Sequence, residues 1–440
     1  MKDVRLITIF VILLLAGWRV PAQSYVRWNV SSLYSDHSTI REWRSGFAVG
    51  YAKETSGGSC FFLLDSSLSV LKKAVFPSNY SINDFRILHD TVFFCGEDVS
   101  LSHGIVGFAD INSLFNMPNS INYCELYNPS VPSTYVASPK RMDVYTCAGV
   151  TCIAFVGEMP SSSTVGSAHF DGAAWRIYFY SNTTGNMAYH DIAASSDYVA
   201  VAIKKNSSPN YYVQVFHTSV IDMLSAPLNM GYMYRLTGNT PSAGMRLADI
   251  SPIEFALAYH YMGFNDVGTE VQLFRVDPPT NTVVVYTTLN YIHGSSYFFS
   301  PSSWMMKEMG YDAATQHLLL LQDVSNTTVT SVESSVFRYD MTNYGQVEVS
   351  YTAGVTLDGI DASASGGYYT IGTESGGLAI AREVYAAAGA CRQMYRPSIA
   401  CSLDAAVATE WPEDITTLTN VNLILPSILR YETIDIDCEE

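Results

Sequence analysis

The chain has 440 residues, a formal net charge of −17 and an aromatic content of 13 %. A surface this acidic repels phosphate backbones and anionic membranes, so the composition argues against a nucleic-acid partner. The length exceeds one ordinary domain, although a closed ring of repeats can hold it in one unit.

The first 22 residues have the pattern of a signal peptide. Lys2 and Arg5 give a basic start, residues 6–17 are almost entirely apolar, and Val20, Pro21 and Ala22 precede a plausible cleavage point. The apolar run is shorter than a comfortable membrane span, which favours a removed signal over an N-terminal anchor. We therefore expect an exported protein, periplasmic, cell-surface or extracellular, with no integral membrane span after processing. The cleavage region resembles secretory signals of the Bacteroidota.

A unit of short strands recurs seven times in the chain. Its clearest copy runs through residues 84–88, a turn at His89 and Asp90, then residues 91–96 and 104–111. These runs alternate like strands and are rich in glycine, β-branched and aromatic residues. The seven windows begin at Gly46, Asp84, Asp143, Asp191, Leu247, Trp304 and Leu357.

Small sheets repeated at a period of about 45 to 60 residues are typical of a β-propeller. On this pattern residues 25–388 resemble β-propeller repeat proteins, and we predict an all-β propeller of seven blades. Six or eight blades, or a pair of β-sandwiches with strands at similar spacing, are the alternatives. The resemblance rests on the repeat pattern and transfers no catalytic residue.

The two ends of the chain are predicted to complete the molecule. Residues 25–30 alternate like a strand and can be recruited into the last blade to close the ring. Residues 389–440 break the repeat, and we expect a C-terminal appendage packed on the ring, with a secretion or attachment signal as the alternative. The expected division is therefore 1–22 signal peptide, 23–388 propeller and 389–440 appendage.

Eight cysteines in an exported chain can form disulfides. Cys147 and Cys152 flank a turn between two strand-like runs and are one predicted pair. Cys391 and Cys401 bracket a short loop and are the other. The remaining four, which the sequence does not connect, are Cys60, Cys95, Cys124 and Cys438. No spacing matches a zinc site, so we predict neither a metal nor a cofactor.

No catalytic motif is present in the sequence. The nine histidines include no His-Glu-x-x-His pattern, and neither a Gly-x-Ser-x-Gly elbow nor a nucleotide-binding glycine motif occurs. The adjacent His190 and Asp191 are interpreted as a turn or strand-end hydrogen bond, because catalytic groups are recognised by geometry and not by adjacency. We therefore predict no catalytic residue, and a non-enzymatic role is favoured.

Thirty tyrosines and six tryptophans are the unusual feature of the composition. Most should pack between sheets, whereas aromatic residues in long loops can stack on sugars or anchor a protein interface. The residues predicted to bind a ligand in this way are Tyr232, Tyr234, Tyr297 and Trp304.

The functional hypothesis is an exported binding or interaction module that recognises a glycan or an envelope protein through propeller loops. The alternative is an extracellular glycan-active hydrolase or lyase, with carboxylates or tyrosine and histidine groups at the mouth of the channel. A structural envelope component is a third possibility.

Overall fold

The computed structural model describes residues 24–28, most of 33–383, and short C-terminal segments at 393–395, 398–400, 404–407, 415–421, 423–424 and 436–437. Within 33–383 the residues left out are 55–58, 117–120, 128–135, 160–161, 182–186, 206–210, 219–230, 237–240, 263–266, 279–281, 294–304, 326–331, 343–346, 353–354, 365 and 375–376.

Seven antiparallel sheets, the blades, follow one another along the chain. Blade 1 contains β2 (Leu33–Arg44), β3 (Phe47–Glu54), β4 (Ser59–Leu64) and β5 (Val70–Val75). Blade 2 contains β6 (Tyr80–Leu88), β7 (Thr91–Asp98), β8 (His103–Asp110) and β9 (Asn122–Glu125), with helix α1 (Ile111–Asn116) between the last two. Blade 3 contains β10 (Ser138–Cys147), β11 (Val150–Met159), β12 (Ser162–Phe170) and β13 (Ala174–Ser181).

The next three blades repeat the same four-strand order. Blade 4 contains β14 (Met187–Ala194), β15 (Tyr198–Lys205), β16 (Tyr211–His217) and β17 (Gly231–Arg235). Blade 5 contains β18 (Pro241–Ser251), β19 (Glu254–Met262), β20 (Val267–Asp277) and β21 (Thr282–His293). Blade 6 contains β22 (Met305–Asp312), β23 (His317–Ser325), β24 (Val332–Asp340) and β25 (Val347–Thr352).

Blade 7 combines the two ends of the propeller. It contains β26 (Val355–Ala362), β27 (Tyr368–Glu374), β28 (Gly377–Glu383) and, as its fourth strand, β1 (Ser24–Trp28). Strand β1 pairs antiparallel with β28, with Val26 opposite Ile380. The prediction that the N-terminal strand completes the last blade is confirmed.

The first strand of each blade contacts the first strand of the next, and β26 contacts β2, which closes the ring. The predicted fold, an all-β propeller with seven blades, is confirmed. The predicted repeat of three strands was one strand short. In blade 1 the omitted strand is β2, in which charged Arg41, Glu42 and Arg44 interrupt the apolar alternation.

The hydrophobic core lies between the blades, because each sheet buries both faces against its neighbours. The buried apolar side chains of the described residues form seven clusters, one at each blade interface. Phe61 and Phe62 illustrate the alternation of a strand. Phe61 packs between blades 1 and 2 and Phe62 between blades 7 and 1, and both are fully buried.

Short C-terminal strands lie along the outer edges of several blades. They are β29 (Gln393–Tyr395) on β25, β30 (Ser398–Ala400) and β31 (Asp404–Val407) on β21, β32 (Ile415–Val421) on β13, β33 (Leu423–Ile424) on β9 and β34 (Ile436–Asp437) on β1. Added strands of this kind pair the open backbone groups of an outer edge.

Candidate functional site

The inner strands carry charged side chains into the central channel. In five of them the pairing with the second strand shifts by one residue at a β-bulge, immediately before Asp84, Arg141, Asp191, Glu308 and Gly359. A bulge leaves one residue unpaired and turns the next side chains in a new direction. Charged groups of different blades can therefore meet on the axis of the ring.

Glu308 is the centre of this charged cluster. Its Oε1 lies 2.7 Å from Nη2 of Arg41 in blade 1, and its Oε2 lies 3.2 Å from Nη1 of Arg141 in blade 3. Only 4 % of the Glu308 side chain is exposed. Burial alone would raise the pKa of Glu308, but the surrounding guanidiniums outweigh it and hold the pKa well below its ordinary value. The carboxylate is therefore ionised inside the ring.

The backbone of Lys307 adds a second contact to the cluster. Its carbonyl oxygen accepts hydrogen bonds from Nη2 of Arg141 at 2.7 Å and from Nε of Arg246 at 2.6 Å. Its Nζ lies 3.0 Å from Oδ2 of Asp323 and 3.2 Å from Oδ1 of Asp358. Blades 3 and 6 are not neighbours, so the contact between Arg141 and the Lys307 carbonyl crosses the channel.

We call Arg41, Arg141, Arg246, Lys307 and Glu308 the hub. The hub ties together side chains from blades 1, 3, 5 and 6.

Aspartates of the inner strands also connect four of the blades to the next one. Asp84 accepts a hydrogen bond from the backbone N–H of Met142, Asp143 from Ala194, and Asp191 from Leu247, at 2.7 to 3.1 Å. Asp361 of blade 7 accepts one from Glu42 of blade 1 at 2.7 Å. These carboxylates therefore have a structural role. Every blade has the same antiparallel strand order, so all the inner strands run in one direction and end at one face, the top face.

The channel opens at the top face into a cavity of about 210 Å³, the mouth. Its walls include Asp143 of blade 3, Asp249 of blade 5, Asp361 of blade 7 and Arg86 of blade 2. Nε of Arg86 lies 3.4 Å from Oδ1 of Asp143. With Glu42 and Arg41 of blade 1, four acidic residues and two arginines thus line one small cavity.

Burial perturbs the carboxyl groups of the mouth. The pKa of Asp249 is raised to about 7, first because protein surrounds the group in the mouth and second because Asp143 repels its charge. Asp249 still retains contact with solvent. Burial raises the pKa of Asp361 to about 6, although Arg41 opposes the shift. The mouth therefore offers hydrogen-bond acceptors together with a carboxyl that exchanges its proton near neutral pH.

The four residues predicted to bind a ligand lie wholly or partly outside the part of the chain that the structure describes. Tyr232 and Tyr234 are on β17, opposite Val215 and Val213 of β16. Their side chains are outside the described part of the chain, as are Tyr297 and Trp304 altogether. Their role stays a prediction.

The predicted disulfide between Cys147 and Cys152 is wrong. The strand register places Cys147 opposite Val150 and Cys152 opposite Tyr145, so the two cysteines are diagonal neighbours and not a directly opposite pair, and no bond joins them. No disulfide joins any of the five cysteines that the structure describes. Cys391 and Cys401 lie outside the described residues.

The sequence analysis missed the hub and the mouth. A signal was present, because three of the seven repeat windows begin at an aspartate: Asp84, Asp143 and Asp191. His190, next to Asp191, is neutral: burial and then the positive charges of Arg246 and Lys204 lower its pKa to about 4.

Within the described ranges, no three His, Cys, Asp or Glu side chains are grouped so that they could hold a metal ion. In the same ranges no helix has the length and apolar character needed to cross a membrane.

No family model and no curated protein matches this chain. Among solved structures it is similar to Drosophila Semaphorin 2a, with 6 % identity, a TM-score of 0.47, and coverage of 82 % of this chain and 75 % of that one. A structure from a study of two prolyl endopeptidases has 10 % identity, a TM-score of 0.40 and coverage of 86 % and 51 %. Prolyl oligopeptidase B from Galerina marginata has 8 % identity, a TM-score of 0.37, and coverage of 83 % of this chain and 51 % of that one. The chain spans about half the length of these two peptidase structures.

Proposed function

We propose that this chain is an exported binding module that recognises a glycan at the top face of its propeller. The observation that supports the proposal most is the mouth, where Arg86, Asp143, Asp249 and Asp361 from four blades line one cavity. Sugar hydroxyls both donate and accept hydrogen bonds, and charged partners make those bonds stronger. Concave sites with a few convergent polar groups are the usual form of a small-ligand site.

The hub supports binding from the top face. Because Arg141 and Glu308 join non-neighbouring blades across the axis, the channel is obstructed below the mouth. A glycan chain would then rest across the mouth and place one residue in it. The aromatic residues predicted to bind above, Tyr232 and Tyr234 on β17 together with Tyr297 and Trp304, would contribute further stacking contacts.

A glycan array probed with the chain lacking residues 1–22 tests the proposal. Asp249→Asn should weaken binding about tenfold or more, because it removes a carboxylate from the mouth without touching the hydrogen bonds between blades. Asp197→Asn, at an exposed turn of blade 4, is the matched control and should leave binding unchanged. Capture of an envelope protein with no glycan signal would contradict the glycan proposal. Cell fractionation tests export separately.

A second candidate function is supported by the raised pKa of Asp249. A carboxyl that is protonated near pH 7 beside a second carboxyl, Asp143, is the arrangement used for acid–base catalysis on glycosidic bonds. If the mouth is catalytic, polysaccharide incubated with the protein should gain reducing or unsaturated ends, and Asp249→Asn should abolish the product. Binding without any product would leave the binding module as the function.

A further inference from the structure

A second cavity opens at the top face, between blades 2 and 3. Its volume is about 440 Å³, within the usual range of small-ligand sites. It is reached from the turn between β10 and β11 at Gly149 and the turn between β12 and β13 at Gly172. Since both turns follow strands that end at the top face, this side pocket and the mouth face the same solvent.

One wall of the side pocket is aromatic. Phe108 of blade 2 packs 5.9 Å from Phe170 and 5.7 Å from Trp175 of blade 3, measured between ring centroids. The indole N–H of Trp175 donates to Oδ1 of Asn122 at 2.9 Å, which fixes the ring. Phe108 and Phe170 are only partly buried, so their rings are available to a ligand.

The lining of the pocket is also polar. It includes His169, whose Nδ1 is enclosed by protein, and Asp171 at the exposed turn between β12 and β13. Asp171 accepts hydrogen bonds from the backbone of Ala173 and Ala174 at 3.0 and 2.8 Å and from Nε of Arg176 at 3.0 Å. These contacts hold the carboxylate in place, and it keeps capacity for a further donor.

This combination discriminates between ligand classes. A purely apolar ligand would cover the accessible carboxylate of Asp171 without replacing its hydrogen bonds to water, which is unfavourable for a polar group. A hydroxyl can donate to that carboxylate. A sugar ring supplies both an apolar face for Phe108 and Phe170 and hydroxyls for Asp171.

We propose that the side pocket between blades 2 and 3 is a saccharide subsite, which takes one sugar residue of a neutral glycan against Phe108 and Phe170. The inference rests on the proposed function for its ligand class, but it concerns a separate cavity and separate residues.

The test uses the chain lacking residues 1–22 and the methyl glycosides of glucose, galactose, mannose and N-acetylglucosamine. Saturation-transfer NMR and calorimetric titration report binding. At least one glycoside should bind, and Phe108→Ala should weaken it about tenfold or more. Val150→Trp should do the same, because Val150 is at the rim, 36 % exposed, and a larger side chain there fills the entrance without altering the core.

Phe47→Ala is the matched control. Phe47 is an aromatic residue that is 37 % exposed and lies outside the side pocket, so its removal should leave the affinity unchanged. Equal binding by wild type, Phe108→Ala and Val150→Trp would overturn the inference. So would binding of indole in place of every glycoside. If Asp249→Asn alone abolishes glycan binding, the proposed function stands and the subsite is wrong. If no glycan or glycoside binds at all, both fail.

Discussion

Glu308 illustrates how much a single buried charge matters in this ring. Its carboxylate compensates Arg41 and Arg141, each of which is almost excluded from water. Removing one partner of a buried ion pair is costly, because the remaining charges stay desolvated and uncompensated. Glu308, Arg41 and Arg141 therefore depend on one another for compensation of their buried charges.

We expect Glu308→Gln to lower the free energy of unfolding by about 3 to 5 kcal/mol, the range for breaking a buried pair. Chemical denaturation followed by circular dichroism measures it. Glu158→Gln is the matched control, since Glu158 forms only an exposed contact with Lys140 at 4.0 Å and exposed pairs contribute about 1 kcal/mol or less. Equal losses in the two variants would show that the hub does not stabilise the ring.

The ionised form of Asp249 destabilises the folded protein, whereas the ionised form of Glu308 stabilises it. The reason is that the folded pKa of Asp249, about 7, lies above the ordinary value of 3.8. Stability from the neutral carboxyl is present below about pH 3.8 and is lost as pH rises through 7. Asp249→Asn should therefore stabilise the protein at pH 8.5, on the order of 1 kcal/mol because solvent screens the group, and have almost no effect near pH 4. Thermal melts at the two values, with Asp197→Asn as control, measure it. A gain at pH 4 as large as at pH 8.5 would contradict the pKa.

The elements differ in how far the sequence could predict them. Strand β1 was predicted because apolar and polar residues alternate over residues 25–30, which is the period of a strand. Strand β2 was not, since Arg41 and Glu42 make it resemble a surface loop. The compensation of Arg41 comes from Glu308, 267 residues away. Only ring closure brings them together, and local periodicity contains no information about it.

Closure by β1 should contribute to the stability of the whole ring. Val26 lies within the ladder opposite Ile380, and β34 pairs with the other side of β1 at Arg27 and Trp28. Proline within a strand removes a ladder hydrogen bond, so Val26→Pro should destabilise the protein by about 1 kcal/mol or more. A lowered melting temperature by circular dichroism is the readout.

Leu71→Pro is the control for this variant. Leu71 is the unpaired bulge residue of β5, since Lys72 and Val70 pair with Leu63 and Leu64. It should therefore cost clearly less than Val26→Pro. Equal melting temperatures for the two variants would mean that β1 does not close the ring.

At the scale of the whole molecule, the number of blades could be predicted but the site could not. Each blade buries two faces, and this requirement produces the repeated strand pattern that indicated seven units. The mouth and the side pocket are made by neighbouring or opposite blades. Their residues, such as Asp249 and Phe108, have no common sequence signature, because each is selected by its place in the assembled ring.

Two sets of groups with shifted pKa values change the stability of the ring in opposite directions as pH falls. Burial lowers the pKa of His190 to about 4 and of His260 to about 3, so the folded state stays neutral while the unfolded chain protonates below pH 6.5. The contribution of these two histidines to the stability of the fold is therefore lost as pH falls. Asp249 and Asp361, with pKa values raised to about 7 and 6, add stability over the same range. The opposing shifts are of similar size, so the contributions of these four groups largely offset one another between pH 6.5 and 4.

Asp249→Asn combined with Asp361→Asn should remove one side of this balance. Between pH 6.5 and 4 the double variant is expected to lose on the order of 2 kcal/mol of stability relative to the wild type. His260→Gln should tilt the profile the other way, gaining stability as pH falls. Denaturation midpoints at intervals across this range measure both slopes. Parallel profiles for all three proteins would mean that these buried groups do not control the pH response, because opposite changes in proton uptake must give opposite slopes.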